Sequence, residues 1–203
     1  MKKAQHILYT IGKTLYINLT NRCPCRCDFC VRTHGDGVGD ADSLWLDHEP
    51  SLEEAVAAFD KYDLSGFDEA VFCGYGEPME RLEVLLGVCR FLREHTELPI
   101  RINTNGLADL IHQKPTAHLL KGLADTVSIS LNAPTAQEYV ELCHPTFGEA
   151  SFEAILKFAG DCRHAVPEVI LSVVDVIPPE RVDLCREIAE ELDVDFRLRE
   201  YWT

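Results

Sequence analysis

The chain has 203 residues, 46% apolar and 26% charged, the balance of a globular domain rather than a disordered segment. Lys and Arg total 19 against 34 Asp and Glu, a formal net charge of −15, which argues against general nucleic-acid binding and against docking on anionic membranes. Nine cysteines is a high and odd count, and it favours a metal site or reactive thiols over a disulfide framework.

In chain order, the start is basic, but residues 7–9 are too short for a leader's apolar stretch, and Gly12 and Lys13 interrupt any continuation, so no signal peptide is expected. The most apolar later run, 169–177, is short and contains Asp175, so no membrane span is expected and the location reads as cytoplasmic. Six β-branched runs read as strands: 15–20, 69–73, 99–104, 126–131, 169–177 and 195–201. Helical patterns lie between them. Ser51 and Glu54 form a capping-box sequence that opens a helix to about residue 64. Leu82, Leu85, Leu86, Cys89 and Leu92 give 81–95 a helical stripe, and further helices are predicted at 115–122, 135–143, 151–164 and 179–192.

Alternating strands and helices imply βαβ units around a parallel sheet. A complete eight-unit barrel averages about 250 residues, roughly 31 per unit, so this chain holds about six units. An open six-unit barrel and a doubly wound sheet both fit the pattern. No interdomain linker is evident, and 1–203 reads as a single core domain. The first connection, with its surplus at residues 21–50, is far longer than the later ones. Long loops inside compact domains are usually functional or disordered, and this one leaves a strand's C-terminal end, where α/β folds place their active sites.

That loop holds Cys23, Cys25, Cys27 and Cys30, and three of them, Cys23, Cys27 and Cys30, form C-x3-C-x2-C. Thiolates suit zinc or iron–sulfur clusters. A structural zinc site usually takes two separated ligand pairs, whereas Cys73, Cys89, Cys143, Cys162 and Cys185 are scattered. The C-x2-C-x2-C-x3-C run of electron-carrying clusters is absent as well. Three ligands leave one iron of a four-iron cluster open to a substrate or cofactor. Zinc, redox thiols, or a metal-bound electron carrier or interaction module are the alternatives.

With Phe29 just before the last cysteine, the motif resembles that of the radical S-adenosylmethionine (radical SAM) superfamily. The resemblance implies an α/β fold of open, partial (β/α)6 TIM-like barrel type. It implies a [4Fe–4S] cluster on Cys23, Cys27 and Cys30, with the fourth iron chelated by S-adenosylmethionine and Phe29 near the adenine. Cys25 is extra to the motif and is expected not to be a ligand. The implied reaction is reductive cleavage of S-adenosylmethionine to methionine and a 5′-deoxyadenosyl radical, which abstracts hydrogen from a substrate, small molecule or partner protein. A one-electron donor such as flavodoxin or ferredoxin is implied as a partner.

Further along, Gly74-Tyr75-Gly76-Glu77-Pro78 is similar to the family's GGEP element, whose backbone receives the cofactor's amino group. Tyr75 stands where the element's first glycine would be, so Gly76, Glu77 and Pro78 are the match, with Gly74 beside them. Arg101, Asn103 and Asn105 share a strand face by the two-residue period and lead into Asn105-Gly106, similar to the family's third-strand T-N-G end. Ser128, Ser130 and Asn132 share the next face, where relatives bind the cofactor's carboxylate or ribose. Val173, Asp175 and Ile177 form the fifth face, and Arg197, Arg199 and Tyr201 the sixth. Gly74, Gly76, Glu77, Asn103, Asn105, Ser130, Asn132 and Arg199 are therefore candidate cofactor or substrate contacts, and Arg199 suits an anionic group. The remaining cysteines read as small buried hydrophobes. His34 reads as an exposed loop residue. Trp45 is expected over the site or plugging the barrel mouth, and Trp202 at the barrel base or the cavity; residues 31–50 act as a lid if the substrate is a small molecule, whereas an activase would dock its partner protein over the open mouth. The segments 17–25, 128–134 and 199–202 make the chain resemble most closely the small TatD-associated radical SAM family.

Overall fold

A computed structural model of the protein describes residues 5–33, 35 and 37–201; His34 and Trp202 lie outside them. Seven strands form one sheet: β1 (Leu8–Ile11), β2 (Thr14–Ile17), β3 (Glu69–Phe72), β4 (Ile100–Thr104), β5 (Thr126–Ser130), β6 (Glu168–Val174) and β7 (Asp195–Arg199). They lie in the sheet in chain order. β1 and β2 are antiparallel, and every later pair is parallel. Right-handed crossovers between sequential neighbours put every helix on the same face of the sheet. A doubly wound sheet would reverse its strand order, so the architecture is the open, barrel-like one.

The helices are α1 (Leu52–Ala57), α2 (Leu82–His95), α3 (Ala108–His112), α4 (Ala136–Cys143), α5 (Ala150–Cys162) and α6 (Pro179–Glu191). Ser51 and Glu54 make the predicted capping box, each side chain bonded to the other's backbone N–H. The helix stops at Ala57 and continues as a 3-10 turn, Ala58–Lys61, rather than running to 64. The stretch 115–122 holds only a 3-10 turn, Ala117–Leu120, while α3 occupies a segment the periodicity did not mark. Its five residues are too few to display a helical repeat. Among the described residues, no helix is long and apolar enough to cross a membrane.

The pleat sorts the sheet's residues. Leu15, Ile17, Ala70, Phe72, Ile100, Ile102, Val127, Ile129, Leu171 and Val173 point to the helices and are buried in one continuous apolar core. Each fully buried aliphatic side chain there contributes about 1.5–3 kcal/mol. Their alternates face the sheet's concave side and are more polar: Tyr16, Cys73, Arg101, Asn103, Ser128, Ser130, Ser172, Arg197 and Arg199. In the fifth predicted strand the face was assigned one residue off. β6 ends at Val174, where Val176 N–H turns back to the Val174 carbonyl. Ser172 pairs with Ser130 and with Arg197, so Ser172 and Val174 face inward while Val173 belongs to the core.

β1 carries no signal in the sequence pattern. It turns into β2 through Gly12 at φ +60 and supplies the edge on which the long loop docks. Asp40 N–H donates to the Thr10 carbonyl, and Thr10 N–H donates to the Asp40 carboxylate at 2.5 Å. Gly39, at φ +64, lies so close that a Cβ would sit 2.2 Å from the Thr10 carbonyl oxygen.

Candidate functional site

The long loop leaves β2 and closes on itself. Asn21 donates through Nδ2 to the Leu46 carbonyl at 2.8 Å and accepts from Leu46 N–H at 2.9 Å. Glu49 draws together Thr20, Arg22 and Arg81, the two guanidiniums at 2.7 and 3.0 Å. Between these anchors, the cysteine segment lies between the end of α4 and the turn after β3. Arg26 and Asp28 N–H donate to the Cys143 and Leu142 carbonyls, and Thr146 N–H donates to the Pro24 carbonyl.

On the other side, Gly76 touches the loop backbone. A Cβ there would lie 2.3 Å from the Thr20 carbonyl oxygen and 2.5 Å from that of Arg22. Only glycine permits that approach, so the sequence element and the cysteine loop are fitted to each other. Gly74 is equally confined, its missing Cβ overlapping the Asn18 side chain. Glu77 donates its N–H to the Arg22 carbonyl at 2.8 Å and turns its carboxylate into the protein. Oε1 accepts from Thr104 Oγ1 at 2.7 Å and Met79 N–H at 3.0 Å, and Oε2 accepts from Asn105 N–H at 2.7 Å. Burial outweighs these three donors and pushes Glu77 up to about 7.

Pinned by Glu77, Asn105 aims its Nδ2 at the sulfurs of Cys23 and Cys25, each at 3.9 Å. The thiols form a chain from Cys23 through Cys25 and Cys27 to Cys143. A hydrogen bond with Cys25, then burial, raises Cys23. A hydrogen bond with Cys143 raises Cys27. Cys25 is pulled down by Cys23 but pushed up by Cys27 and burial, to about 12. A soft cation displaces such protons. Cys25 is 2% exposed and lies against the Tyr139 hydroxyl at 3.7 Å, whereas Cys23, Cys27 and Cys30 are only half-buried. Among the described residues, no group of three or more His, Cys, Asp or Glu side chains is placed to hold a single metal ion.

Cys30 and Phe29 border a cavity of about 540 Å³ on the concave face of the sheet. Gly74, Cys73, Asn103, Arg101, Arg197 and Arg199 border it too, with Tyr9, Ile11, Tyr16 and Val174 as the apolar wall. The size suits a small ligand. Asn103 Oδ1 and the Nε atoms of Arg101 and Arg199 are buried without a hydrogen-bond partner. Unmet polar atoms around a cavity are what a polar ligand satisfies. Thiol donors at its rim, a glycine cradle for the loop and orphaned polar atoms inside fit an iron–sulfur cluster with an organic cosubstrate.

The candidate residues divide. Cys30, Phe29, Gly74, Asn103 and Arg199 meet at the cavity. Ser130 reaches it through Arg199, whose Nη2 donates to Ser130 Oγ at 3.2 Å. Cys23, Cys27, Gly76, Glu77 and Asn105 form the framework of the cysteine loop. Asn132, at φ +59, turns inward: its Oδ1 accepts from Val174 N–H at 3.4 Å and its Nδ2 faces Cys143 Sγ at 3.8 Å. Trp45 packs edge-on against Tyr75 at 5.1 Å in a small cluster with Tyr9, Ala41 and Leu44, of which Tyr9 and Leu44 also border the cavity. Sequence reasoning missed Tyr9, Tyr16 and Cys73. Tyr9 and Tyr16 stack across the hairpin at 5.0 Å, and Cys73, read as a buried hydrophobe, lines the cavity. Cross-strand aromatic pairing at Gly12 was the available signal.

A family model described as the radical SAM superfamily matches residues 17–192. A GTP 3′,8-cyclase of Corynebacterium glutamicum is 32% identical over 139 residues, covering 65% of this chain and 34% of that protein. The chain thus spans about a third of that relative's length. The crystal structure of Streptococcus suis SuiB bound to S-adenosylmethionine superposes with a TM-score of 0.68 at 18% identity, over 95% of this chain and 40% of that one. TsrM from Kitasatospora setae, with cobalamin and a [4Fe–4S] cluster bound, superposes with a TM-score of 0.53 at 16% identity, over 87% and 32%. These two likenesses establish the shared fold.

Proposed function

The chain belongs to the radical SAM superfamily, and from that premise we propose that it is an enzyme using a [4Fe–4S] cluster and S-adenosylmethionine to abstract hydrogen from a substrate. The observation that carries this reading is the C-x3-C-x2-C loop seated by Gly76 at the C-terminal ends of the strands, with Cys30 opening onto the cavity. When bound, the cluster supplies an electron that breaks the S–C5′ bond of S-adenosylmethionine, giving methionine and a hydrogen-abstracting 5′-deoxyadenosyl radical.

Cys23, Cys27 and Cys30 would hold the cluster, and Cys25, extra to the motif and 2% exposed, would stay outside it. Gly76 keeps the loop backbone in register, and Glu77 positions Asn105 toward the sulfurs. Phe29 offers a face for the adenine. Gly74, Asn103 and Ser130 offer polar contacts to the cosubstrate, and Asn132 acts through Cys143 and the β5–β6 end. Val31, Val38 and Leu44 of the long loop border the cavity and limit the access of water to it. A one-electron donor such as flavodoxin or ferredoxin would supply the electron. The continuous core supports one domain over 1–203, the sequence segments support the TatD-associated family, and the nine free cysteines support a reducing, cytoplasmic location.

Anaerobic reconstitution tests the reading. The wild type gains iron and sulfide in a one-to-one ratio, and S-adenosylmethionine changes the electron paramagnetic resonance signal of the reduced cluster. A signal indifferent to S-adenosylmethionine would mean an electron carrier instead.

A further inference from the structure

The chain carries a net charge of −15, yet three guanidiniums, Arg101, Arg197 and Arg199, face one cavity. The register places them there: Arg197 pairs with Ser172 and Arg199 with Val174, both on the concave face, and Arg101 pairs with Val71 on β3. Arg101 is answered by Glu69 at 2.8 Å. Arg199 is not answered in the same way. It donates to the neutral Ser130 hydroxyl at 3.2 Å, and its Nε is buried without a hydrogen-bond partner. Glu200 borders the same cavity on the exposed side. Among the described residues Arg199 makes no ion pair; a half-buried cation so placed is costly, and burial pushes Arg199 below its ordinary value. Guanidinium forks match carboxylates and phosphates in a bidentate way.

We propose that Arg197 and Arg199 form the anion subsite for a small substrate, gripping its carboxylate or phosphate while its apolar body lies against Ile11, Tyr16 and Val174. The assignment rests on the hydrogen-abstraction reading for the word substrate. Phe29, Cys30 and Gly74 border the same cavity and belong to the cofactor, so substrate and cofactor share one space.

Calorimetric titration of the cluster-loaded protein at constant ionic strength tests the subsite, with phenyl phosphate and benzoate as probes that separate phosphate from carboxylate. Each is titrated with and without saturating S-adenosylmethionine, whose own binding is measured in parallel. The expected result is binding of at least one probe. It weakens at least tenfold in Arg197→Gln and in Arg199→Gln, the loss of one charge-assisted pair. It is unchanged in Arg163→Gln, a distant arginine paired with Asp193, and unchanged by S-adenosylmethionine. Arg197 is exposed, so its variant carries the test even if Arg199→Gln fails to fold. No probe binding to wild type, equal binding in all variants, or competitive displacement by S-adenosylmethionine overturns the proposal; the last assigns the arginines to the cofactor. Failure of S-adenosylmethionine itself to bind sinks the enzyme reading separately.

Discussion

Glu77 sets burial against hydrogen bonding, and the winner decides the sign of a stability change. Its side chain is 4% exposed, and burial raises it from 4.5 to about 7 despite three donors. Between those values the folded chain keeps a proton that the unfolded chain has released. The contribution is fully present below pH 4.5 and is lost as pH rises through 7. At about 1.4 kcal/mol per pH unit, the loss is about 3 kcal/mol. Glu77→Gln keeps the shape and removes the titration. Its single carbonyl oxygen leaves either Asn105 N–H or the Thr104 and Met79 donors without an acceptor, a cost of about 1–3 kcal/mol at every pH. Urea unfolding of the cluster-free protein at pH 5 and pH 8 measures both effects. The variant should be the less stable at pH 5, and its stability relative to the wild type should rise by about 2.5 kcal/mol at pH 8. A constant gap, or one that widens with pH as for a carboxylate held ionised by its donors, refutes the reasoning.

Gly76→Ala should cost about 1–3 kcal/mol, because the new methyl meets carbonyl oxygens rather than a yielding side chain; a lowered melting temperature and reduced iron per chain after reconstitution check it. Cys27→Ala should lose most of its iron, whereas Cys25→Ala, which removes a buried thiol extra to the motif, should keep it; equal iron in both would remove Cys27 from the ligand set. Tyr75→Phe deletes the hydroxyl that donates to the Gly35 carbonyl at 2.8 Å, and limited proteolysis should cut residues 31–50 faster with little change in the urea midpoint.

The six parallel strands were legible because their outer faces alternate apolar residues against the helices, as in Ile100 and Ile102 or Val127 and Ile129. β1 was not legible, since four residues with Thr10 among them show no run, and only pairing with β2 makes them a strand. The inward face of β6 was missed by one residue because its end was placed at 177. A strand's period of two turns such a slip into the opposite face. Asn103 and Arg199 border the cavity because the two-residue period puts them on the concave face, whereas the ligand role of Cys23, Cys27 and Cys30 was read from the resemblance to a family motif. Cys73, Tyr16 and the Arg101–Glu69 pair depend on how neighbouring strands register, which no local pattern encodes. Asn132 has the right parity for the concave face, but it lies past the strand end at a positive φ, and its amide meets Cys143 Sγ and Val174 N–H.

The most direct measurement is release of 5′-deoxyadenosine. The anaerobically reconstituted protein is reduced with dithionite in the presence of S-adenosylmethionine, and the products are separated by chromatography. Wild type should form 5′-deoxyadenosine and Cys27→Ala should form none. A cluster-loaded wild type that reduces fully yet leaves S-adenosylmethionine intact, or purified protein carrying zinc in place of iron, would contradict the account.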